Sequence, residues 1–425
     1  MNSKNTLPSR IESLLATVFV LALFYGDVHF GVVFPLSMAV LPVLLGFALA
    51  RRRTIPRGAT PGLALLLGVL FALALQKFAG IAAPVRADWG LYGPLIYAAA
   101  TAFTFSLVRV SDTALWRSLT FGGLLAAVIV LATIAVFPEG KFPIPGQNYT
   151  ETDLEDRQSR SPGGDITKFA ATAASEVGNT DDKSARPFYD IKNNIRSPLG
   201  RSNYLAVFCV FLFSIALFRR ERAMAVLFAL LTVATLSRLG MIFLFLVLLV
   251  WLSHFARIRY TKIIAVLAVS LLSAAVITFS WPEILAKIPG AQSINARMQF
   301  WQSGLPPIMD HPFVGSPRSA ILDRYGYPLI WNPHNSLLWI TALFGVWGLA
   351  CYVAYISAAL RNFYSRAAQS PMWLGILAGI CVALAWSMLE IIVLTPAFEI
   401  LLSLLYGLST QSRTENHESV GSGSA

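Results

Sequence analysis

The chain has 425 residues, of which 56% are hydrophobic and 13% are charged, and its formal net charge is +11. Because a soluble domain carries about 25% charged residues, this composition excludes an ordinary soluble protein and a disordered chain. The three cysteines lie inside apolar runs and do not suggest a disulfide scaffold. The composition therefore indicates an all-α polytopic membrane protein.

A helix needs about 20 mainly apolar residues to cross the hydrocarbon core of a bilayer. About twelve runs approach this length, and we expect transmembrane helices near residues 11–26, 31–50, 61–79, 91–108, 119–137, 203–218, 223–238, 241–255, 263–281, 335–360, 372–389 and 394–409. Each inner segment of this layout carries Lys or Arg, as in the run Arg51-Arg52-Arg53. The positive-inside rule then predicts that both termini are cytoplasmic. Topology thus accounts for the basic charge, and we expect no nucleic-acid partner.

Two outer segments are too long to be simple connections between helices. The predicted organisation is 1–137 with helices 1–5, 138–202 as a long polar loop, 203–281 with helices 6–9, 282–333 as a second loop with candidate site residues, 334–409 with helices 10–12, and 410–425 as a cytoplasmic tail. The spans contain few ionisable residues, whereas an ion-coupled carrier usually has several. We therefore expect any chemistry on the outer face.

The first group of candidate residues lies at the outer ends of predicted helices. Arg201 and Asn203 stand where the first long loop enters the sixth span. Arg238 stands between two apolar runs that form a tight outer hairpin. It is either an interfacial anchor whose side chain reaches the membrane surface or a ligand for an anion.

The second outer loop carries the other candidates. Arg297 and Trp301 are four residues apart and share a face if they lie on a helix. Pro333 is expected in the first turn of the tenth span, which would put His334 and Asn335 at a helix N-terminus suited to phosphate or carboxylate. His334 is either a structural cap or a reactive base, and Trp301 either an interface anchor or a stacking partner for sugars. No spacing typical of a metal site or nucleotide-binding motif is present, so we expect neither metal nor cofactor.

The order of several short motifs resembles the O-antigen ligase and Wzy-type polymerase superfamily. These motifs are Ser237-Arg238-x-Gly240, Arg297-x-x-x-Trp301, Pro312-Phe-Val-Gly315, Pro333-His334-Asn335 and Leu343-Phe-Gly345, with Arg201-Ser-Asn203 before them. Each motif is weak alone, and their order is the specific signal. The polar loop at 138–202 is a departure from the family pattern, and its role is left open.

The resemblance implies a GT-C-like, metal-independent glycosyltransferase of the bacterial inner membrane with a periplasmic active site. Its implied substrates are a glycan carried on undecaprenyl pyrophosphate and either lipid A–core or a growing glycan as acceptor. By the same resemblance, Arg238 and Arg297 would bind the pyrophosphate, and His334 would be the general base.

Arg201 and Arg318 are further candidate pyrophosphate ligands, and Asn335, Asn203 and Trp301 are candidate supporting residues. An O-antigen ligase is the leading interpretation and a Wzy-type polymerase the second. A protein O-glycan transferase and a polysaccharide transporter or flippase remain alternatives.

Overall fold

The structure is a computed structural model that describes residues 6–25, 27–29, 33–51, 60–81, 85–136, 196–197, 200–255, 291–327 and 332–411. Within these residues the chain is helical apart from two short hairpins. The N-terminal helices are α1 (Thr6–Tyr25), α2 (Ser37–Arg51), α3 (Thr60–Phe78), α4 (Val85–Leu107) and α5 (Asp112–Val136). After them come α6 (Ser202–Phe218), α7 (Arg222–Ala234), α8 (Arg238–Phe255), α9 (Ala291–Ser303), α10 (Leu305–Asp310), α11 (Arg318–Tyr325), α12 (Ser336–Ala367), α13 (Pro371–Trp386) and α14 (Pro396–Ser409).

The hairpins pair β1 (Asp27–His29) with β2 (Val33–Pro35) and β3 (Arg196–Ser197) with β4 (Gly200–Arg201), both antiparallel. The first hairpin corrects the predicted second span, because strand pairing takes residues up to Pro35 and the helix begins only at Ser37. The second hairpin leads directly into α6. It is the only part of the predicted 138–202 loop that falls within the described residues.

The other predicted spans overlap helices, although α4 and α5 begin six to seven residues before the predicted start and α12 ends seven residues after the predicted end; the predicted span 263–281 lies outside the described residues. The predicted seventh span at 223–238 is too long, since α7 ends at Ala234 and Arg238 begins the next helix. By length and composition, one helix within the described part of the chain, Ser336–Ala367, is long and apolar enough to cross a membrane. Several shorter apolar helices of 10–17 residues accompany it. The twelve-span topology stays a prediction.

The helices pack through their large apolar side chains. Helix α6 contacts α7, α8 and α13, while α14 packs along α4 and α12 packs along α3. Phe211 of α6, Phe228 of α7 and Trp386 of α13 are fully buried, and Phe243 of α8 stacks on Trp386 with ring centroids 5.1 Å apart. Aromatic burial of this kind stabilises the packing of α6, α7, α8 and α13 against one another.

Helix α12 is interrupted at Gly345, and two of the sequence motifs meet at this break. Gly345 has φ +67°, so the helical hydrogen-bond pattern fails there. The backbone N–H groups of Val346 and Trp347 instead donate to the carbonyl oxygens of Pro312 (2.8 Å) and Phe313 (3.3 Å). The segment 312–315 therefore supplies the acceptors that the broken helix lacks.

The contact between the two motifs leaves no room for side chains at their glycines. A Cβ on Gly315 would overlap the backbone of Leu343–Gly345, and one on Gly345 would overlap the backbone of Phe313. Both glycines have positive φ, which other residues adopt at a cost. The amide of Gln76 on α3 adds a third element, donating to the carbonyls of Val314 and Leu343. The break and its docked segment thus form one fixed unit.

We expect Gly345→Ala to destabilise the protein by about 2 kcal/mol or more, because it combines an unfavourable backbone angle with steric overlap. The measurement is the apparent unfolding temperature of detergent-solubilised protein. Gly46→Ala is the matched control, since Gly46 lies in α2 and a Cβ there meets nothing within 4 Å. Equal unfolding temperatures for Gly345→Ala and Gly46→Ala would contradict the role given to the break.

Candidate functional site

Glu390, in the turn between α13 and α14, is the centre of a polar cluster formed by four parts of the chain. Its Oε1 lies 2.9 Å from Nδ1 of His334. Its Oε2 accepts a hydrogen bond from Nδ2 of Asn203 (3.3 Å) and lies 3.8 Å from a guanidinium nitrogen of Arg297. The Glu390 side chain is only 13% exposed, so these contacts replace most of its water. We call these four residues the Glu390 cluster.

His334 is fixed in an unusual backbone conformation just before α12. It has φ +46°, and its N–H donates to the side-chain oxygen of Asn332 (3.0 Å), which stabilises the turn. The ring of Phe300 on α9 packs against the imidazole with centroids 5.0 Å apart. The imidazole is therefore held on one edge by Glu390 and on one face by an aromatic ring.

Asn335 caps α12 with its own side chain. Its Oδ1 accepts from the N–H groups of Leu337 (3.0 Å) and Leu338 (3.1 Å). Its Nδ2 donates to the carbonyl of Met388 (3.1 Å). The N–H of Ser336 donates to the carbonyl of Ser387 (2.8 Å). The start of α12 is thereby attached to the same turn that carries Glu390.

Two expectations about this helix start are wrong. Pro333 lies two residues before the N-cap rather than in the first turn of α12. The N–H groups of Leu337 and Leu338 donate to the side chain of Asn335, and the N–H of Ser336 donates to the carbonyl of Ser387. These first amides of the helix are therefore not available to bind an anion. The sequence did place His334 and Asn335 at the helix start, and the structure agrees.

Asn203 connects the cluster to the turn before α8. Its Oδ1 accepts a hydrogen bond from Oγ of Ser237 (2.9 Å), and the N–H of Gly240 donates to the same hydroxyl (3.2 Å). Arg238 follows Ser237 directly, is exposed, and begins α8. The predicted residues Asn203 and Arg238 therefore belong to one connected region with Glu390.

Helix α9 carries Arg297 and Trp301 on one face, as the four-residue spacing predicted. Arg297 reaches Glu390, while the ring against His334 belongs to Phe300 and not to Trp301. The indole N–H of Trp301 is buried and has no hydrogen-bond partner among the described residues. Phe300 was not predicted, because an isolated Phe in an outer helix has no distinguishing pattern.

Arg318 and Arg201 are placed less centrally than the other predicted ligands. Arg318 begins α11, and its guanidinium lies over the ring of Trp339 on α12, 5.9 Å from the centroid. Arg201 lies in β4, where its backbone pairs with that of Arg196.

Glu390 itself was not among the residues singled out from the sequence. A signal was available, since Glu390 and Glu399 are the only charged residues in 371–409. A carboxylate in so apolar a stretch is costly without partners. The sequence does not identify those partners, because they lie 56 to 187 positions away in the chain.

The charge state of Glu390 follows from its neighbours. Burial opposes its ionisation, but the hydrogen bond to His334 and the charges of His334 and Arg297 together lower its pKa below the ordinary value of 4.5. Glu390 is therefore an anion near neutral pH. In the tautomer with a proton on Nδ1, the imidazole donates a hydrogen bond to Oε1 of Glu390, and its unprotonated Nε2 can accept a proton.

The cluster can thus perform proton transfer next to cationic groups. A carboxylate that orients an imidazole is the arrangement of a general base. Arg297 lies 3.8 Å from Glu390, and Arg238 follows Ser237, so two guanidinium groups belong to this region. Within the described residues, no group of three or more His, Cys, Asp or Glu side chains could hold a metal ion.

A comparison with protein families matches residues 223–353 to the family described as O-antigen ligase. This match confirms the resemblance seen in the motifs and supports an O-antigen ligase-like or polymerase-like function, and glycosyl transfer in general. The matched region contains Arg238, Arg297 and His334, whereas Asn203 and Glu390 lie outside it. A comparison with curated proteins finds no match.

We expect Glu390 to make the protein sensitive to acid. Since its pKa is lower in the folded state, its stabilising contribution is present above pH 4.5 and is lost as the pH falls through the folded-state value. The apparent unfolding temperature of the wild type should therefore fall more steeply from about pH 5 to about pH 3 than that of Glu390→Gln. Parallel curves for the two proteins would show that the ionised carboxylate adds no stability.

Proposed function

Since residues 223–353 belong to the O-antigen ligase family, we propose that the protein is a membrane-embedded glycosyltransferase of the ligase type. It moves a polysaccharide from undecaprenyl pyrophosphate to lipid A–core on the periplasmic face. The observation that carries this proposal is the contact of His334 and Arg297 with the same carboxylate, Glu390. A base and a cation within one cluster are what this transfer requires.

His334 is the general base in this reaction. An acceptor hydroxyl attacks the anomeric carbon of the donor sugar, and its proton passes to Nε2 of His334. The new glycosidic C–O bond forms as the bond between the anomeric carbon and the pyrophosphate oxygen breaks. Undecaprenyl pyrophosphate leaves with the bonding electron pair, and Glu390 stabilises the imidazolium that forms at His334.

Arg238 and Arg297 bind the pyrophosphate and stabilise its growing negative charge. Guanidinium groups contact phosphate oxygens through paired hydrogen bonds, and this contact needs no metal ion. Arg238 is exposed and directly follows Ser237, which donates a hydrogen bond to Asn203 of the cluster. Arg201 and Arg318 are further candidates for the same role.

The packing of the helices supports a location in a bilayer. Large apolar side chains are more than half exposed on five helices, namely Leu14, Leu67, Phe121, Leu230 and Phe245. Soluble monomers rarely expose so many large apolar side chains on successive elements, whereas a lipid-facing surface requires them. These exposed side chains support a location in a bilayer, while the proposed inner-membrane topology with both termini in the cytoplasm rests on the pattern of Lys and Arg in the sequence.

We expect His334→Ala to lower the rate of glycan transfer by at least about 100-fold, because it removes the proton acceptor. The measurement is transfer by purified protein from a lipid-linked donor. His254→Ala is the control, since His254 lies near the other end of α8 from Arg238, about 24 Å along the helix. Unchanged transfer in His334→Ala would remove this residue from the mechanism.

The same variant distinguishes a ligase from a polymerase in cells. A ligase defect leaves long polymer on the lipid carrier and lipid A–core without glycan. A polymerase defect leaves core that carries a single repeat unit. The second pattern would overturn the ligase proposal. It would remain consistent with glycosyl transfer from undecaprenyl pyrophosphate, which a ligase and a polymerase have in common.

We expect Arg238→Lys to reduce transfer by about tenfold or more, because an ammonium group cannot make the paired contact of a guanidinium. The control is Arg222→Lys, which changes an exposed arginine at the first position of α7, at the end away from the cluster. Wild-type transfer rates in Arg238→Lys at limiting donor would count against a pyrophosphate role for Arg238.

A further inference from the structure

A cavity with both apolar and charged lining residues lies on the segment that follows α9. It has a volume of about 610 Å³ and is lined by the end of α10, by α11, and by Gly80–Ile81 after α3. Its lining includes Ile81, Pro307, Asp310, Asp323, Arg324 and Tyr325. We call it the Asp310 groove. Its size is that of a site for a small ligand or a few units of a longer one.

A continuous set of contacts joins the groove to the reacting groups. The ring of Tyr325 stacks on that of Tyr327, with centroids 5.4 Å apart. The hydroxyl of Tyr327 donates to the carbonyl of Ser303 at the end of α9 (2.9 Å). Phe300, which packs against His334, lies one turn earlier on that helix. These contacts connect α11, which lines the groove, to α9, which carries Arg297 of the Glu390 cluster.

One residue that lines the groove is fixed by a backbone hydrogen bond to α12. Ser316, which lines it, donates its N–H to the carbonyl of Ala342 on α12 (2.8 Å). This contact adjoins the break at Gly345, where the 312–315 segment is docked. The groove is thus formed by fixed elements rather than by a loose surface loop, which lowers the cost of ordering on binding.

The polar groups of the groove are arranged as a connected set. Asp310 accepts a hydrogen bond from the hydroxyl of Tyr325 and lies 2.9 Å from a guanidinium nitrogen of Arg324. Burial and the contact with Asp310 raise the pKa of Tyr325 to about 12, so its hydroxyl remains protonated. Carboxylate, guanidinium and phenol groups present both donors and acceptors, and Ile81 and Pro307 add apolar surface.

The net charge of the groove limits the chemical class of ligand that it can bind. With His311 counted as neutral, the carboxylates of Asp310 and Asp323 and the guanidinium of Arg324 leave one net negative charge. A phosphate group would be repelled, and two carboxylates provide too few ligands for a divalent cation. A neutral sugar matches the lining, because its hydroxyls pair with planar polar groups and its C–H faces pack on apolar and aromatic surface.

We propose that the Asp310 groove binds neutral sugar units of a glycan substrate while its reacting end lies at the Glu390 cluster. The inference rests on the proposed function, since it assumes a glycan substrate. The sugars belong either to the donor polysaccharide or to the acceptor oligosaccharide. Both have the same hydrogen-bonding chemistry, and the experiment separates them.

The test is binding of two carrier-free probes to the full-length protein in nanodiscs, measured by saturation-transfer NMR. One probe is oligosaccharide released from the cell's lipid-linked polysaccharide by mild acid, and the other is delipidated core oligosaccharide. We expect one of them to bind, and Tyr325→Ala and Asp323→Asn each to weaken that binding about tenfold. Asp323 is exposed, so Asp323→Asn is expected to fold. It therefore tests the inference even if Tyr325→Ala does not fold.

Tyr364→Ala is the matched control, because Tyr364 is 72% exposed and lies near the C-terminal end of α12, on the other side of the Gly345 break. It should bind the probe as the wild type does. No binding of either probe to the wild type, or equal binding by the groove variants, would overturn the inference. Probe binding without glycan transfer would instead count against the proposed function and leave the groove assignment intact.

Discussion

The candidate site depends on one buried carboxylate that must remain charged. Glu390 lies in the turn after α13, and its partners come from the start of α6, from α9 and from the residue before the α12 cap. An unpaired carboxylate at this depth would be strongly unfavourable, so the four segments are held together by a common electrostatic requirement. The two residues proposed for proton transfer and anion binding, His334 and Arg297, thereby contact the same carboxylate.

Helix α9 positions the side chains that contact Glu390 and His334 from one side. Its Phe300 and Arg297 face the Glu390 cluster, and its last residue accepts the hydrogen bond from Tyr327 that fixes the end of α11. A polymer substrate bound along α10 and α11 would therefore approach the reacting groups by a route that the protein fixes in advance. Such prearrangement is what orients a long flexible chain for a single bond-forming step.

The sequence predicts most helices because long apolar runs have few other stable arrangements, and it predicts His334, Arg297 and Arg238 because their motifs occur in a recognisable order. It does not predict the importance of Glu390, Phe300 or the Asn203–Ser237 contact. Those contacts depend on tertiary packing between segments far apart in the chain. The error at Pro333 has a local cause: His334 has φ +46°, which is not a helical conformation, so Asn335 is the N-cap and the helix begins at Ser336.

The interruption at Gly345 bears on how the chain is assembled. Within hydrocarbon, a helix can be broken only if other protein groups satisfy the amides that the break releases. The acceptors for Val346 and Trp347 come from 312–313, which is synthesised before α12. When the second half of α12 leaves the ribosome, its partner already exists. The chain order therefore makes these acceptors available before the amides that donate to them.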